Sequence, residues 1–442
     1  KVSALYIQAI SAKAACDIKI RGASQRNARR RICAVRLLPH GKEWFMKRKT
    51  TCRTRAQRLP KRHLRHLLGV LLVITLIIAQ TGCAANEKTN DNQGISKTGF
   101  YLDTICTITI FGIEDADGSF AAAEEAEQQR QLYQLITDAF KLCDSYEKIL
   151  SKTIKTSDIA RVNAAGGKAV EVSDATIEVL RKGIEYGRLS NGAFDITIGK
   201  ATDLWNFHDA EDAALAAEDS GESAADEAAP GEIPNAQVLA EAMRHVDYSE
   251  VEIDGNTVRL ADPKMELDLG GIAKGYIADR VTAFLEEKGV RSAIIDLGGN
   301  IVALGGKARS MLDTEAGETD FRIGIKDPQS ESGALLGTLP ASNLTVVTSG
   351  TYERYFITDG KKYHHILDSE TGYPTDTDVL SATIIAAKGR SVDCDGLSTT
   401  CLALGIENAL TLVNSIEGVE AILVDTDGKV HQTSEALNFA KA

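Results

Sequence analysis

The stretch VEIDGNTVRLADPKMELDLGGIAKGYIADR, residues 251–280, decides the fold class. Asp254-Gly255 stands between two β-type runs, and an Asp-Gly step in that setting marks a tight hairpin turn. Asp268 then follows Glu266-Leu267 at a strand end. Gly270-Gly271 opens an apolar helical pattern over Ile272–Lys288, which Gly289 closes. A hairpin therefore runs into a helix without strict βαβ alternation. Asp359-Gly360 and Asp427-Gly428 repeat the hairpin signature further along. Upstream, Ile105–Phe111 (ICTITIF) is a β-rich run. Leu132, Ile136, Ala139, Phe140, Cys143, Tyr146 and Leu150 then keep the three–four spacing of a long helix. Ser173 is the expected N-cap of a second helix carrying Ile177, Leu180 and Ile184 and ending near Asn191-Gly192. A further helix is expected over roughly Arg390–Leu404. The order predicts an α+β fold of mixed, largely antiparallel sheets with packed helices, and argues against a doubly wound Rossmann sheet.

Not all 442 residues belong to that fold. Lys61–Gln80 reads KRHLRHLLGVLLVITLIIAQ, a basic flank before an apolar run, followed by Thr81-Gly82-Cys83. That is the build of an export signal, and the run is short for a membrane span, which needs about 20 residues. A cut just before cysteine is the lipoprotein type, so residues 46–82 are read as the signal and Cys83 as the lipidated residue, anchoring the chain on the extracytoplasmic face. Gln80 departs from the leucine usual at that place. Residues 1–45 lack a foldable pattern and Met46 precedes Lys47-Arg48-Lys49, so they are read as an upstream extension, with translation starting at Met46. Residues 83–98 are read as a tether and 99–442 as the functional domain, one large or two intertwined. The alanine-rich acidic run over 209–232 is expected to loop out as a disordered insertion.

Residues 1–82 hold 19 Lys and Arg against 2 Asp and Glu, so the chain's net −12 becomes −29 for residues 83–442. So acidic a domain excludes nucleic acid as a partner class but not a small anion held locally. Cys106, Cys143, Cys394 and Cys401 form no C-x-x-C pair, which gives zinc and redox motifs no support. Cys394 and Cys401 lie seven apart on one helix face, too far for a disulfide.

Three polar clusters interrupt apolar stretches. Around Asp268, Gly270 and Gly271 let backbone approach a ligand, the helix amides from about Ile272 favour an anion, and Lys274 adds charge. A plain strand–turn–helix junction would look the same. In Ser391–Thr399, Asp395 and Thr399 are i and i+4, so a carboxylate and a hydroxyl reach one hard cation. Ser391, Asp393 and Asp395 could equally be a helix-capping cluster. In Lys362–Asp368, His364 and His365 sit on the second strand of a hairpin and point to opposite faces, so at most one serves a given site. A histidine is the natural general base for a hydroxyl, though a lone strand histidine is often structural. No Walker loop, dinucleotide fingerprint or nucleophile elbow is present.

Seven segments in this order resemble the ApbE family: Gly192–Gly199 (GAFDITIG), Leu204-Trp205, Asp268–Asp279, Ala293–Asn300 (AIIDLGGN), Thr348–Tyr355 (TSGTYERY), His364–Asp368 with Thr371–Pro374, and Asp395–Thr399. The likeness covers roughly Gly99 to the C-terminus, and the lipoprotein leader suits the family. It implies Mg²⁺-dependent transfer of FMN from FAD, as substrate, to a threonine or serine hydroxyl of a client flavoprotein through a phosphoester, with release of AMP. It further implies metal ligation by Asp395 and Thr399 with Ser398 and the Gly271 carbonyl, and FAD contacts from Leu102, Thr153, Ala193, Phe194, Asp195, Asp268, Lys274 and Leu367. Thr153 stands where many members carry tyrosine. His365 matches the histidine that takes the client hydroxyl's proton, and Lys274 would assist at the phosphates. The expected partners are FAD, a membrane redox subunit or exported FMN-binding domain, and the membrane through the lipid. Two other readings share these residues: an FAD pyrophosphatase giving FMN and AMP, and a non-catalytic exported FAD-binding lipoprotein.

Overall fold

Eight strands build the main sheet: β1 (Ile95–Tyr101), β2 (Thr104–Ile113), β3 (Val290–Leu297), β4 (Asn300–Leu304), β5 (Leu344–Gly350), β6 (Val379–Ala387), β7 (Val419–Asp425) and β8 (Val430–Gln432). Their order across the sheet is their order in the chain, and every neighbouring pair is antiparallel. This computed structural model describes residues 93–114, 120, 123–207, 232–313, 317–330, 332–433 and 438–442. The extension 1–45, the signal 46–82, Cys83, the start of the tether and residues 209–231 of the acidic insertion lie outside the described residues.

Between these strands run the helices α1 (Glu125–Leu150), α2 (Asp158–Ala164), α3 (Asp174–Leu189), α4 (Gly199–Trp205), α5 (Ala236–Met243), α6 (Ala273–Glu287), α7 (Ser391–Leu404) and α8 (Ile406–Asn414). The helix at 125–150 buries Leu132, Ile136, Ala139, Phe140, Cys143 and Leu150, the stripe its spacing predicts. Ser173 does cap α3, accepting from the Thr176 amide.

Alternate side chains on the strands point to opposite faces. One face of the sheet presents Ile108, Ile110, Ala293, Ile295, Val302, Val347 and Ile384 to the helices. The other presents Ala303, Val346, Ile385 and Ile422 to Phe321, Ile323, Ile325 and Leu339 of a small sheet formed by 321–326, 335–341 and 440–441. Each Val, Ile, Leu or Phe among them contributes roughly 1.5–3 kcal/mol on burial. The fold is the mixed, antiparallel α+β arrangement expected from the hairpin signals. All three Asp-Gly hairpins form, at 251–260, at 355–364 and between β7 and β8.

One boundary differs. β1 begins at Ile95, inside the stretch read as tether. It is an edge strand whose Ser96 and Thr98 face solvent, so its composition is polar.

Candidate active site

The double glycine at 270–271 connects the Asp268 turn to α6, and α6 packs on α7 at Gly275. A side chain at Gly275 would overlap the Ser391 carbonyl oxygen and lie 2.7 Å from Asp395 Cβ. Glycine is needed there for close approach, not for backbone freedom. The approach lets the Gly275 amide donate to Asp395 Oδ2 at 2.8 Å. Asp395 is 1 % exposed, and the Lys274 ammonium stands 3.9 Å from its Oδ1. Capping of α7 falls to another residue. Asp279, one helical turn beyond Gly275 on α6, accepts from the Ser391 and Val392 amides at 3.0 and 3.1 Å. Asp393 is held by Tyr186 (2.8 Å), Lys182 (3.0 Å) and Arg390 (3.0 Å). The capping alternative for Asp395 is thereby answered: the cap comes from a different helix.

Thr399 lies one turn on from Asp395. A Cβ placed on Gly271 would sit 3.4 Å from Thr399 Oγ1 and 3.1 Å from Phe194 Cε2. Gly271, Thr399 and Phe194 therefore converge. Ser398 is fully buried behind them, donating to Asp395 O (2.9 Å) and bonded to Ser349 Oγ (2.8 Å). Every donor here is oxygen, with one carboxylate, a set that fits a hard divalent ion sharing its shell with phosphate oxygens.

Asp268 has both carboxylate oxygens occupied. Gly270 N donates to Oδ1 at 2.8 Å, while Thr202 Oγ1 (2.7 Å) and the Lys152 ammonium (3.0 Å) approach Oδ2. Burial pushes the carboxyl up, but Lys152, Gly270 and Thr202 outweigh it and hold it below the usual range. Lys152 also pairs with Asp203 at 2.6 Å. With Thr153, Asn163, Asp203 and Glu266 it lines a polar cavity of about 340 Å³. Sequence reasoning passed over Lys152 and Thr202, which sit in no recognisable pattern.

The 193–195 loop stacks Phe194 edge-on against Tyr186 (6.4 Å). Asp195 faces inward: Thr197 N and Oγ1 donate to Oδ1 at 2.8 and 2.6 Å, and Tyr248 N donates to Oδ2 at 2.9 Å. Its carboxylate fixes the loop, so only backbone and the Ala193 and Phe194 side chains remain for a ligand. Leu367 is buried with Trp205 and Phe356, and Trp205 Nε1 donates to Gly372 O at 2.7 Å. Ser369 Oγ donates to Gly192 O at 2.6 Å, tying the two loops together.

The strand carrying the histidines ends at His364, so His365 lies just beyond it. The two rings take separate partners. His364 is buried with Nε2 on Thr375 O (3.1 Å), and burial pushes it down to about 4. His365 Nδ1 faces Arg354 O at 3.2 Å; burial, then the Arg354 charge, push it down to about 3. With Nδ1–H assigned to that carbonyl, Nε2 is the proton acceptor of a neutral ring. Arg354 also donates to Asp103 O at 2.8 Å, bringing the β1–β2 turn to the same rim. Leu102 and Asp103 form that turn, both at positive φ (56° and 53°). Such a conformation is strained for side chains larger than glycine and concentrates at functional sites. Glu353, adjacent to Arg354 and near Lys274 and Asp395, is pushed up to about 7, chiefly by surrounding protein that limits its solvation.

Fold and site together bring a carboxylate, two hydroxyls and an ammonium to the place where α6 meets α7, with a neutral imidazole held by Arg354 O. The chain belongs to the ApbE family: the model of the "ApbE family" matches residues 102–423. It is 32% identical to an FAD:protein FMN transferase of Treponema pallidum (strain Nichols) over 83% of this chain and 93% of the relative. It is 35% identical to one of Klebsiella pneumoniae (strain 342) over 66% of this chain and 82% of the relative. Among solved structures, the ApbE protein of Thermotoga maritima superposes with a TM-score of 0.62 at 25% identity, over 79% of this chain and all of that one.

Proposed function

We propose that this chain is an FAD:protein FMN transferase that moves FMN from FAD to a threonine or serine hydroxyl of a client flavoprotein and releases AMP. The observation that carries the reading is the convergence of Asp395, Thr399, Gly271 and Lys274 where α6 meets α7. Binding FAD for storage alone would need neither that oxygen set nor a proton acceptor. Asp395, Thr399 and the Gly271 carbonyl, backed by Ser398, would hold Mg²⁺, which when bound neutralises phosphate charge.

The chain's own residues do the rest. Asp268, pinned by Lys152, orients FAD through hydrogen bonds, and Ala193, Phe194 and Leu367 wall the flavin side. Leu102 and Thr153 supply two further contacts to FAD. Lys274 offsets charge on the transferring phosphoryl group. His365 Nε2 accepts the proton as the client oxygen attacks phosphorus and the bond to AMP breaks. Transfer of this kind depends on positioning and charge neutralisation more than on covalent chemistry. The chain is exported and lipid-anchored at Cys83 on the outer face of the membrane, where its client is a membrane redox subunit or an exported FMN-binding domain. Palmitate labelling lost in Cys83→Ala tests the anchor.

The test of the reaction is incubation of the chain with FAD, Mg²⁺ and a client, followed by intact mass and in-gel flavin fluorescence. A gain of one FMN on the client, abolished by EDTA and by Asp395→Ala, supports the reading. Free FMN and AMP with an unmodified client would replace it with a pyrophosphatase.

A further inference from the structure

We propose that the rim formed by the 355–364 hairpin and the β1–β2 hairpin is the docking surface for the client, and that it takes a client segment combining apolar and acidic side chains. The inference rests on the transferase reading, since only a transferase must admit a second protein to His365.

The two hairpins meet at the rim, where Arg354 Nη2 donates to Asp103 O at 2.8 Å. Tyr355 (41 % exposed) and Ile357 (48 %) lie on one strand, and Phe100 (69 %) and Ile105 (66 %) are cross-strand partners near the other turn. Large apolar side chains gathered at a site mouth mark an interaction surface, whereas scattered ones do not. Tyr355 pairs with His364 and Ile357 with Lys362, so this face ends one residue short of His365, whose ring is held by the carbonyl of Arg354 at the same rim. The platform is rigid before any partner arrives. Its opposite face sends Phe356 and Tyr363 into the Trp205 cluster, with ring centroids 5.5–6.1 Å apart. Preorganisation of this kind lowers the cost of binding.

Charge selects the occupant. Residues 354–365 carry Arg354, Lys361 and Lys362 against a single Asp359, within a domain of net −29. Lys362 lies over the Tyr355 ring at 4.1 Å, which holds its charge beside the apolar face, while Lys361 lies over Tyr363 at 5.3 Å on the hairpin's other side and adds to the local positive charge. A cationic island beside the site of an acidic protein steers an acidic partner to that place. A lipid surface would find the same apolar groups, but nothing about it calls for their adjacency to His365.

The experiment uses the full chain and, as client, the exported protein that loses covalent flavin fluorescence when this gene is deleted, purified unmodified. Ile357→Asp and the double change Lys361→Glu/Lys362→Glu are compared with the parent for client KM and kcat, FAD affinity and thermal midpoint. Expected is a rise of about tenfold or more in client KM, with FAD affinity and thermal midpoint unchanged and the parent's KM rising with salt. Unchanged client KM in both variants, with the parent active, overturns the docking surface alone. Loss of binding to anionic phospholipid vesicles at unchanged client KM assigns the rim to the membrane and also overturns it. A parent that leaves the client unmodified removes the transferase reading, and this surface with it.

Discussion

Gly275 shows how little room the site allows. Its hydrogen lies where a methyl group would meet the Ser391 carbonyl, so Gly275→Ala must push α6 and α7 apart. Overpacking of this kind costs about 1–3 kcal/mol, and here it also withdraws the amide from Asp395. The expected result is a lower thermal midpoint together with loss of flavin transfer well beyond what the stability change explains. Lys152 acts at a distance from Asp395. Lys152→Met leaves Asp268 half-buried with one partner fewer, so FAD affinity should fall severalfold, read by flavin fluorescence quenching. Were affinity unchanged, Asp268 would not orient the ligand. His365, pushed down to about 3, is neutral throughout the working range of the free protein. FAD brings phosphate charge near the ring, so its titration should move upward on binding, and an NMR titration of the imidazole with and without FAD would register the move.

At the scale of elements, the 268–280 stretch grips α7 three times, through Lys274, Gly275 and Asp279. The sequence made the glycines and the start of α6 legible, because each rests on local chemistry; the strand end expected at Glu266-Leu267 is instead an isolated bridge from Glu266 to Ile198, outside any strand. The sequence also made Asp395 and Thr399 legible as one helix face. What it hid was partnership. Asp279 looked like one more helical residue and Asp393 like a cap, because a cap supplied by another helix leaves no local spacing. Lys152 and Arg354 were hidden for the same reason: their targets, Asp268 and Asp103, are far away in the chain. β6 was missed as a strand because both its faces are covered, so its burial is nearly continuous and shows no alternation. The histidine hairpin carries a pH dependence of its own. His364 binds its proton only near pH 4 in the fold but near its ordinary value when unfolded. The folded pKa is depressed, so its stabilisation is full above about pH 6.5 and declines as pH falls toward 4, by up to ~1.4 kcal/mol per pH unit. His365 is depressed further and adds to the same decline, so urea denaturation at pH 7, 5.5 and 4 should show it and His364→Gln should reduce its slope without abolishing it.

At the scale of the molecule, the sheet has helices on one face and a small sheet on the other, and the site sits where α6 and α7 meet on the helical side. A ligand that bridges 268–274 and 395–399 therefore bridges segments far apart in the chain, and its binding energy becomes folding energy. FAD at about a hundred times its Kd should stabilise the chain by ~2.7 kcal/mol, and Mg²⁺ should add a further increment that Asp395→Asn removes. Differential scanning calorimetry with each ligand alone and together would separate the two contributions.

The strand order of the main sheet has a consequence of another kind. β2 and β3 are hydrogen-bonded neighbours, with Ile113 opposite Val290, and the Glu114 amide donates to Gly289 O at 2.7 Å. Everything from 114 to 289, including the 193–195 loop, Asp268 and Lys274, leaves the sheet and returns to it at one point. Topologically it is a cassette clipped into an eight-stranded meander, whereas Asp395, Thr399 and His365 belong to the meander itself. Exchanging that cassette between relatives would test whether the proposed FAD grip and cation site recombine, provided the joints keep the two adjacent chain ends and the graft keeps the contacts of Gly275, Asp279 and Tyr186 with α7, of Gly192 with Ser369 and of Trp205 with Gly372.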